Sequence, residues 1–255
     1  MIKESERKQY SVGGTYANAV VLLLILCLFR PGNVNAQYTC DEATQRIYRI
    51  TTTAESQVSD SLQTLLDLAT FVRECQDGVS LELELWLLNN EVFALDELGR
   101  YEEASAKVDH FFAIYFEGAF DLYRARFYLW RLHFYTIFGD GIEMVVVYLQ
   151  AKQYAGALDA PRKANLHLDG AYAYREIKNY ETALDLVDEA KALVRSPETY
   201  EDSLALARAL RAGAETQLRL GTQLPQSREA LRTAVRLYGT LGDTAHVATA
   251  SPDYS

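Results

Sequence analysis

Four histidines, a few adjacent carboxylates and three cysteines are the side chains of this sequence that could do chemistry. The histidines are His110, His133, His167 and His246, and none has a second His or Cys at metal-ligand spacing. No zinc motif is therefore present, and neither a metal nor a cofactor is expected. Glu102-Glu103, Asp185 with Asp188-Glu189, and Glu201-Asp202 could serve as acid–base pairs. They read better as the solvated faces of helices. There is no phosphate-cradling glycine loop and no nucleophile elbow, and Gly13-Gly14 sits ahead of an apolar run. No residue is expected to be catalytic, and the chain does not read as an enzyme.

What the cysteines can do depends on the compartment. Residues 1–18 carry Lys3, Arg7 and Lys8, diluted by Glu4 and Glu6, and 19–29 form an unbroken apolar run of eleven residues. Arg30-Pro31-Gly32 breaks the run, and Val34-Asn35-Ala36 offers a small residue for cleavage before Gln37. That order reads as a secretory signal over 1–36. A membrane span needs about 20 apolar residues, so a cleaved signal is preferred to an uncleaved anchor. A lipoprotein signal wants a small residue before its cysteine, and here Leu26 precedes Cys27. The expected product is exported, to the periplasm, the cell envelope or the outside, with no stable membrane span after cleavage. Cys27 leaves with the signal. Cys40 and Cys75 stay, an even number in an exported chain, either as one disulfide or as two thiols. Removing 1–36 takes away four basic and two acidic residues, which leaves 21 basic and 33 acidic, a net of −12. Such a surface repels phosphate backbones, so nucleic acid is not an expected partner.

The elements that must position these groups are helices. Apolar residues recur at helical steps of 3 and 4: Tyr101, Ala104, Val108, Phe111, Tyr115, and again Tyr180, Ala183, Val187, Ala190, Val194. Each set makes one stripe along one helix face. The two copies start 79 residues apart, and between them Gly139 precedes Met144 by five, as Gly99 precedes Ala104. A fourth copy starts at Leu220-Gly221 and reaches Ala230, Ala234, Leu237 and Leu241. A fifth echo at Leu241-Gly242-Asp243, with Val247 and Ala248, fades. Self-similarity at a period near 40 signals a solenoid. The predicted helices span 41–57, 59–76, 80–98, 101–116, 119–138, 141–157, 161–177, 180–195, 198–220 and 226–241. Asp159-Ala160-Pro161 and Ser196-Pro197-Glu198 read as helix starts with a cap followed by proline. If 41–57 and 59–76 are antiparallel, Cys40 and Cys75 meet and a bridge would pin the first hairpin. Between 111 and 138 lie twelve aromatic residues, Phe111, Phe112, Tyr115, Phe116, Phe120, Tyr123, Phe127, Tyr128, Trp130, Phe134, Tyr135 and Phe138. They read as core between hairpins, with a residue or two left for binding.

Leu98-Gly99-Arg100-Tyr101-Glu102-Glu103-Ala104 closely resembles the turn of a tetratricopeptide repeat, and Ile177-Lys178-Asn179-Tyr180-Glu181-Thr182-Ala183 is a version that lacks the glycine. The resemblance covers about 81–248. The spacing departs from the usual period of about 34 residues. The resemblance implies an all-α, right-handed solenoid of about five antiparallel hairpins over 37–248, followed by a disordered tail over 249–255. It also implies a concave face lined by the first helix of each hairpin. Carried over through the turns, that face comprises Asn89, Phe93, Arg126, His133, Asn165, Tyr172, Arg175, Arg208, Arg211, Glu215 and Arg219. Arginine forks suit carboxylates, so an acidic peptide or a free C-terminus is the ligand class, unless these arginines only pair with neighbouring acids. The expected role is an exported scaffold that binds a partner protein or peptide. The alternative is a periplasmic sensor or input module of a signalling or transcription-regulatory protein, here truncated, because 252–255 does not read as a finished cap. An all-α carbohydrate-active toroid would need more helices and a central carboxylate pair. Self-association through the C-terminal hairpin stays open.

Ala183 lies on the stripe where two helices of a hairpin cross. Ala183→Glu buries a charge and overpacks that crossing. It should cost several times the roughly 1 kcal/mol of an average substitution. Thermal denaturation checks this, and an unchanged melting temperature would remove Ala183 from the crossing.

Overall fold

The computed structural model describes residues 38–53, 58–75, 79–139, 141–222 and 224–242. The predicted signal over 1–36, the tail over 249–255 and the end of the fading fifth echo lie outside them. Among the described residues there are ten α-helices and no strand. They are α1 (Cys40–Thr52), α2 (Ser59–Cys75), α3 (Leu81–Glu97), α4 (Tyr101–His110), α5 (Asp121–Phe138), α6 (Gly141–Lys152), α7 (Ala160–Glu176), α8 (Tyr180–Leu193), α9 (Tyr200–Leu220) and α10 (Leu224–Thr240). Consecutive helices pair as five hairpins. Helices α3, α5, α7 and α9, the first of successive hairpins, also touch one another in turn. The result is an all-α solenoid.

Local chemistry sets most helix starts. Thr39 and Glu42 form a capping box at α1, and Ser80 Oγ accepts from the Leu83 amide at α3. Asp159 accepts from the Arg162 amide, with Pro161 in the first turn of α7. Helix α9 starts at Tyr200 and not at the predicted Ser196-Pro197. The Thr199 side chain and Asp202 cap each other's backbone amides, and that reciprocal pair fixes the start. Gly99 and Gly221 turn the chain at φ +71° and +69°. The second turn lacks glycine, and Lys178 takes the left-handed conformation there at φ 63°. The same backbone demand is met at a steric cost.

Three predicted helices end early; the one expected over 41–57 stops at Thr52, where Thr53 turns extended. Beyond His110 the chain widens into a π turn, Phe111–Tyr115, and a 3-10 turn, Phe116–Gly118. Phe111 stacks on Phe127 at 3.9 Å while its neighbour Phe112 meets Tyr128 at 4.8 Å. A regular helix would point adjacent residues 100° apart; the wider turn lets both reach inward. After α6 a 3-10 turn, Ala155–Ala157, follows. Most of the aromatic run is core, but Phe120 and Phe138 stay exposed.

The core is a series of apolar clusters between successive hairpins. Ala104, Ala183 and Ala234 are fully buried at their crossings. The central hairpin breaks this small-residue rule with Met144 and Tyr148, both buried. Room for Tyr148 comes from Gly170 on α7, where an added Cβ would lie 2.5 Å from the tyrosine ring. The most deeply buried charges, Glu91 and Arg175, are paired. Glu91, 3% exposed, accepts two hydrogen bonds from Arg73 and one from Lys107, and Arg73 also grips Glu84. Cys40 and Cys75 are joined in a disulfide that ties the start of α1 to the end of α2, their Cα atoms 6.1 Å apart.

The contact between Gly170 and Tyr148 is specific enough to test by coupling. Gly170→Ala should destabilise by about 1–3 kcal/mol through overpacking. Combined with Tyr148→Leu, much of that loss should vanish, leaving a non-additive double-mutant cycle. Additive losses in urea denaturation would show that the two side chains do not meet.

Candidate functional site

Alternate helices face inward, so the side chains of α1, α3, α5, α7 and α9 converge on one elongated groove. Each contributes residues at steps of three or four: Trp86, Asn89 and Phe93 from α3, Arg126, Trp130 and His133 from α5, and Arg162, Asn165 and Asp169 from α7. Tyr48 and Thr51 of α1 close one end, and Arg208 of α9 stands at the other. The hollow measures about 560 Å³. A second hollow of about 320 Å³ continues along α7 and α9 and shares Asp169 and Arg208 with the first.

Six of the eleven residues expected on the concave face line the first hollow: Asn89, Phe93, Arg126, His133, Asn165 and Arg208. Tyr172, Arg175, Arg211 and Glu215 line the second, with Arg208. Arg219 lines neither and reaches Glu176 at 3.5 Å. Within the second hollow Arg175, Arg211 and Glu215 pair with one another, although Arg175 Nε is buried without a hydrogen-bond partner. Arg175 and Arg211 both donate to Glu215, at 2.9 and 2.6 Å, and the Arg175 guanidinium lies over the Tyr172 ring at 4.8 Å.

The first hollow differs. Arg162 pairs with Asp159 at its own helix start. Arg126 makes no ion pair among the described residues; its guanidinium sits 5.9 Å from the Tyr123 ring. Burial first, and then the charge of Arg162, pull its pKa down. Arg208 donates to Asn165 Oδ1 at 3.2 Å and has no carboxylate partner among the described residues. Trp130 Nε1 donates to Asn89 Oδ1 at 3.2 Å. Both asparagines thus have the amide oxygen engaged, which leaves their NH₂ groups for a second partner.

Two titratable groups sit among these cations. His133 Nε2 is 2.9 Å from Asp96 Oδ1, and that hydrogen bond, against the effect of burial, holds the imidazole above its ordinary pKa. Asp169 is half-buried on the groove floor. Burial pushes its carboxyl up to about 6, although Arg208 and His133 pull the other way. The groove can therefore take an extended anionic chain: aromatic walls for apolar side chains, two amides for backbone carbonyls, and two cations without counter-ions.

Sequence reasoning missed Tyr48, Trp86, Trp130, Arg162 and Asp169. Their signal was there in part, since each of the last four lies three or four residues from a residue already expected on the same face. Tyr48 had no such neighbour. Among the described residues no cluster of His, Cys, Asp and Glu could hold a metal ion, and no helix is long and apolar enough to cross a membrane.

No protein-family model matches the sequence, and no curated protein matches it. Solved structures do match in shape. The chain is similar to Bacillus thuringiensis PlcR in complex with the peptide PapR7 and DNA, with a TM-score of 0.65, 12% identity, and 83% of this chain and 75% of that one covered. It is also similar to TPR-like repeats of a Podosopora anserina kinesin light chain, with a TM-score of 0.56, 15% identity, and 79% and 95% covered. A second structure of those repeats gives a TM-score of 0.54 at 16% identity, with 78% and 94% covered. These likenesses show a TPR-like repeat fold. They lend no support to the exclusion of nucleic acid drawn from net charge, since the PlcR structure holds DNA.

Proposed function

We propose that the protein is a non-catalytic scaffold whose groove binds an acidic peptide or the acidic segment of a partner protein. The observation that carries this reading is Arg126, a half-buried cation beside a second arginine with no ion-pair partner among the described residues. A buried charge without a counter-ion is costly, and an anionic ligand would supply one. The mixture of aromatic walls and spare amide donors suits an extended chain. A structure of the same architecture was solved with a bound peptide, which supports the same ligand class. Export is part of the proposal, supported by the apolar run at 19–29 and by the Cys40–Cys75 disulfide, a bond that persists in oxidising compartments. The likeness to PlcR favours a second reading, in which the groove is the peptide-sensing input of a regulatory protein.

The test is a peptide array of acidic, neutral and basic 12-mers with free and amidated C-termini, probed with the full chain and with an Arg126→Glu/Arg208→Glu variant of verified melting temperature. Acidic peptides should bind, and the variant should lose them by tenfold or more. Binding without charge preference, or unchanged in the folded variant, would overturn the groove reading.

The groove floor adds a pH dependence with a defined sign. As pH falls through about 6, Asp169 loses its negative charge; His133, held above its ordinary pKa by Asp96, gains its positive charge earlier in the same descent. Peptide carboxylates stay ionised down to roughly pH 4. Acidic peptides should therefore bind more tightly at pH 5.5 than at pH 7.5. Asp169→Asn should tighten binding at pH 7.5 by roughly three- to tenfold and flatten the profile, leaving only the share of His133. Titration calorimetry at the two pH values decides it.

A further inference from the structure

The first hollow is polarised along the stack. From α3 it takes two rings, Trp86 and Phe93, and no charge; from α7 and α9 it takes Arg162, Asp169 and Arg208, and no ring. Helix α5 stands at the changeover, with Trp130 next to Arg126 and His133. Beyond the aromatic end lies a further hollow of about 530 Å³ between α1 and α3. It shares Tyr48, Thr52 and Trp86 with the first, so the two are continuous. Its threonines spend their hydroxyl protons on their own helix: Thr44 donates to the Cys40 carbonyl at 2.9 Å and Thr52 to the Tyr48 carbonyl at 2.8 Å. What remains is two rings and the exposed side chains of Gln45 and Arg49. Trp86 is seated against two core clusters. Tyr48 is 62% exposed, and among the described residues its ring stacks on no other and its hydroxyl has no partner. A fixed tryptophan beside a tyrosine that stands in water makes a slot for a third ring.

We propose, resting on the peptide reading of the groove, that this slot takes an aromatic side chain of the same acidic ligand. The groove then reads two features at a set separation: an aromatic residue against Tyr48 and Trp86, and an acidic run on Arg126 and Arg208. Continuity of the two hollows names the occupant, because a chain held on the arginines and running toward α1 passes Trp86 and enters the slot without leaving the groove. No carboxylate of the described residues lines the slot, so nothing there repels an acidic chain. From the slot, between α1 and α3, to the arginines of α5 and α7 is two helix-to-helix steps of ~10 Å each. An extended chain advances ~3.3 Å per residue. The aromatic residue therefore stands about six residues from the acidic run.

Fluorescence anisotropy with the full chain and labelled peptides of equal charge tests this. One peptide carries a Glu run and, about six residues away, a Trp; a second has Ser in place of that Trp; a third has the Trp directly beside the Glu run. Each is made in both chain directions. In one direction the spaced Trp should tighten binding roughly five- to tenfold over Ser, and the adjacent Trp should gain less. Tyr48→Phe should keep that ratio, since stacking needs the ring and not the hydroxyl, and Tyr48→Ala should bring it toward one. Arg126→Gln should weaken the Trp and Ser peptides alike and keep the ratio. Acidic peptides that bind with no gain from Trp at either spacing, or with a gain that survives Tyr48→Ala, would overturn the slot and leave the groove reading standing. Acidic peptides that do not bind at all would overturn both.

Discussion

A two-helix hairpin carries an apolar stripe that it cannot cover by itself, and the structure follows from that constraint. Each hairpin borrows its cover from the next, so the core is a succession of clusters and not one centre. The helices must come close for this to work, and closeness requires small residues at the crossings. Ala104, Ala183 and Ala234 meet the requirement directly. Where the second helix carries a tyrosine instead, at Tyr148, the requirement passes to the partner, and Gly170 fulfils it. The rule belongs to the pair of helices, and either one can satisfy it.

Stacking in this manner places every other helix on one side, and the groove is a consequence of that alternation. Its electrostatics contrast with those of the rest of the molecule. Glu91 is almost fully buried and fully answered by Arg73 and Lys107. Arg175 and Arg211 are answered by Glu215. Only in the first hollow do Arg126 and Arg208 stand among aromatic walls without carboxylate partners among the described residues. Paired charges tie helices together; these two tie none, and the proposed acidic peptide would pair with them. Asp169, between Arg208 and His133, moderates their field and ties it to pH.

Much of the architecture was legible in the sequence because it is local. The turn Leu98-Gly99-Arg100-Tyr101, the aromatic–alanine stripes and the caps at Asp159 act within a few residues, and periodicity reads them directly. The turn at Lys178 was legible although it lacks glycine, because the flanking stripe repeats. The start of α9 was misplaced for a local reason too: Ser196-Pro197 and Thr199–Asp202 both offer a cap, and the reciprocal pair gives the better hydrogen bonding. The π turn after His110 was not legible, since it answers to Phe127 and Tyr128 on the next helix.

By itself the sequence determined that this chain stacks helical hairpins and where most of them turn, because hydrophobic period and turn chemistry are written in adjacent residues; that the first helix of each hairpin faces inward came from the resemblance to tetratricopeptide repeats. Only the tertiary structure decided which arginines keep a counter-ion. Arg126, Arg175, Arg208 and Arg211 are alike as letters; Arg211 finds Glu215 one turn along its own helix, but Arg175 reaches the same Glu215 from another helix, 40 residues away. Burial and distance, not residue type, separate an arginine paired within the fold from one without a carboxylate partner.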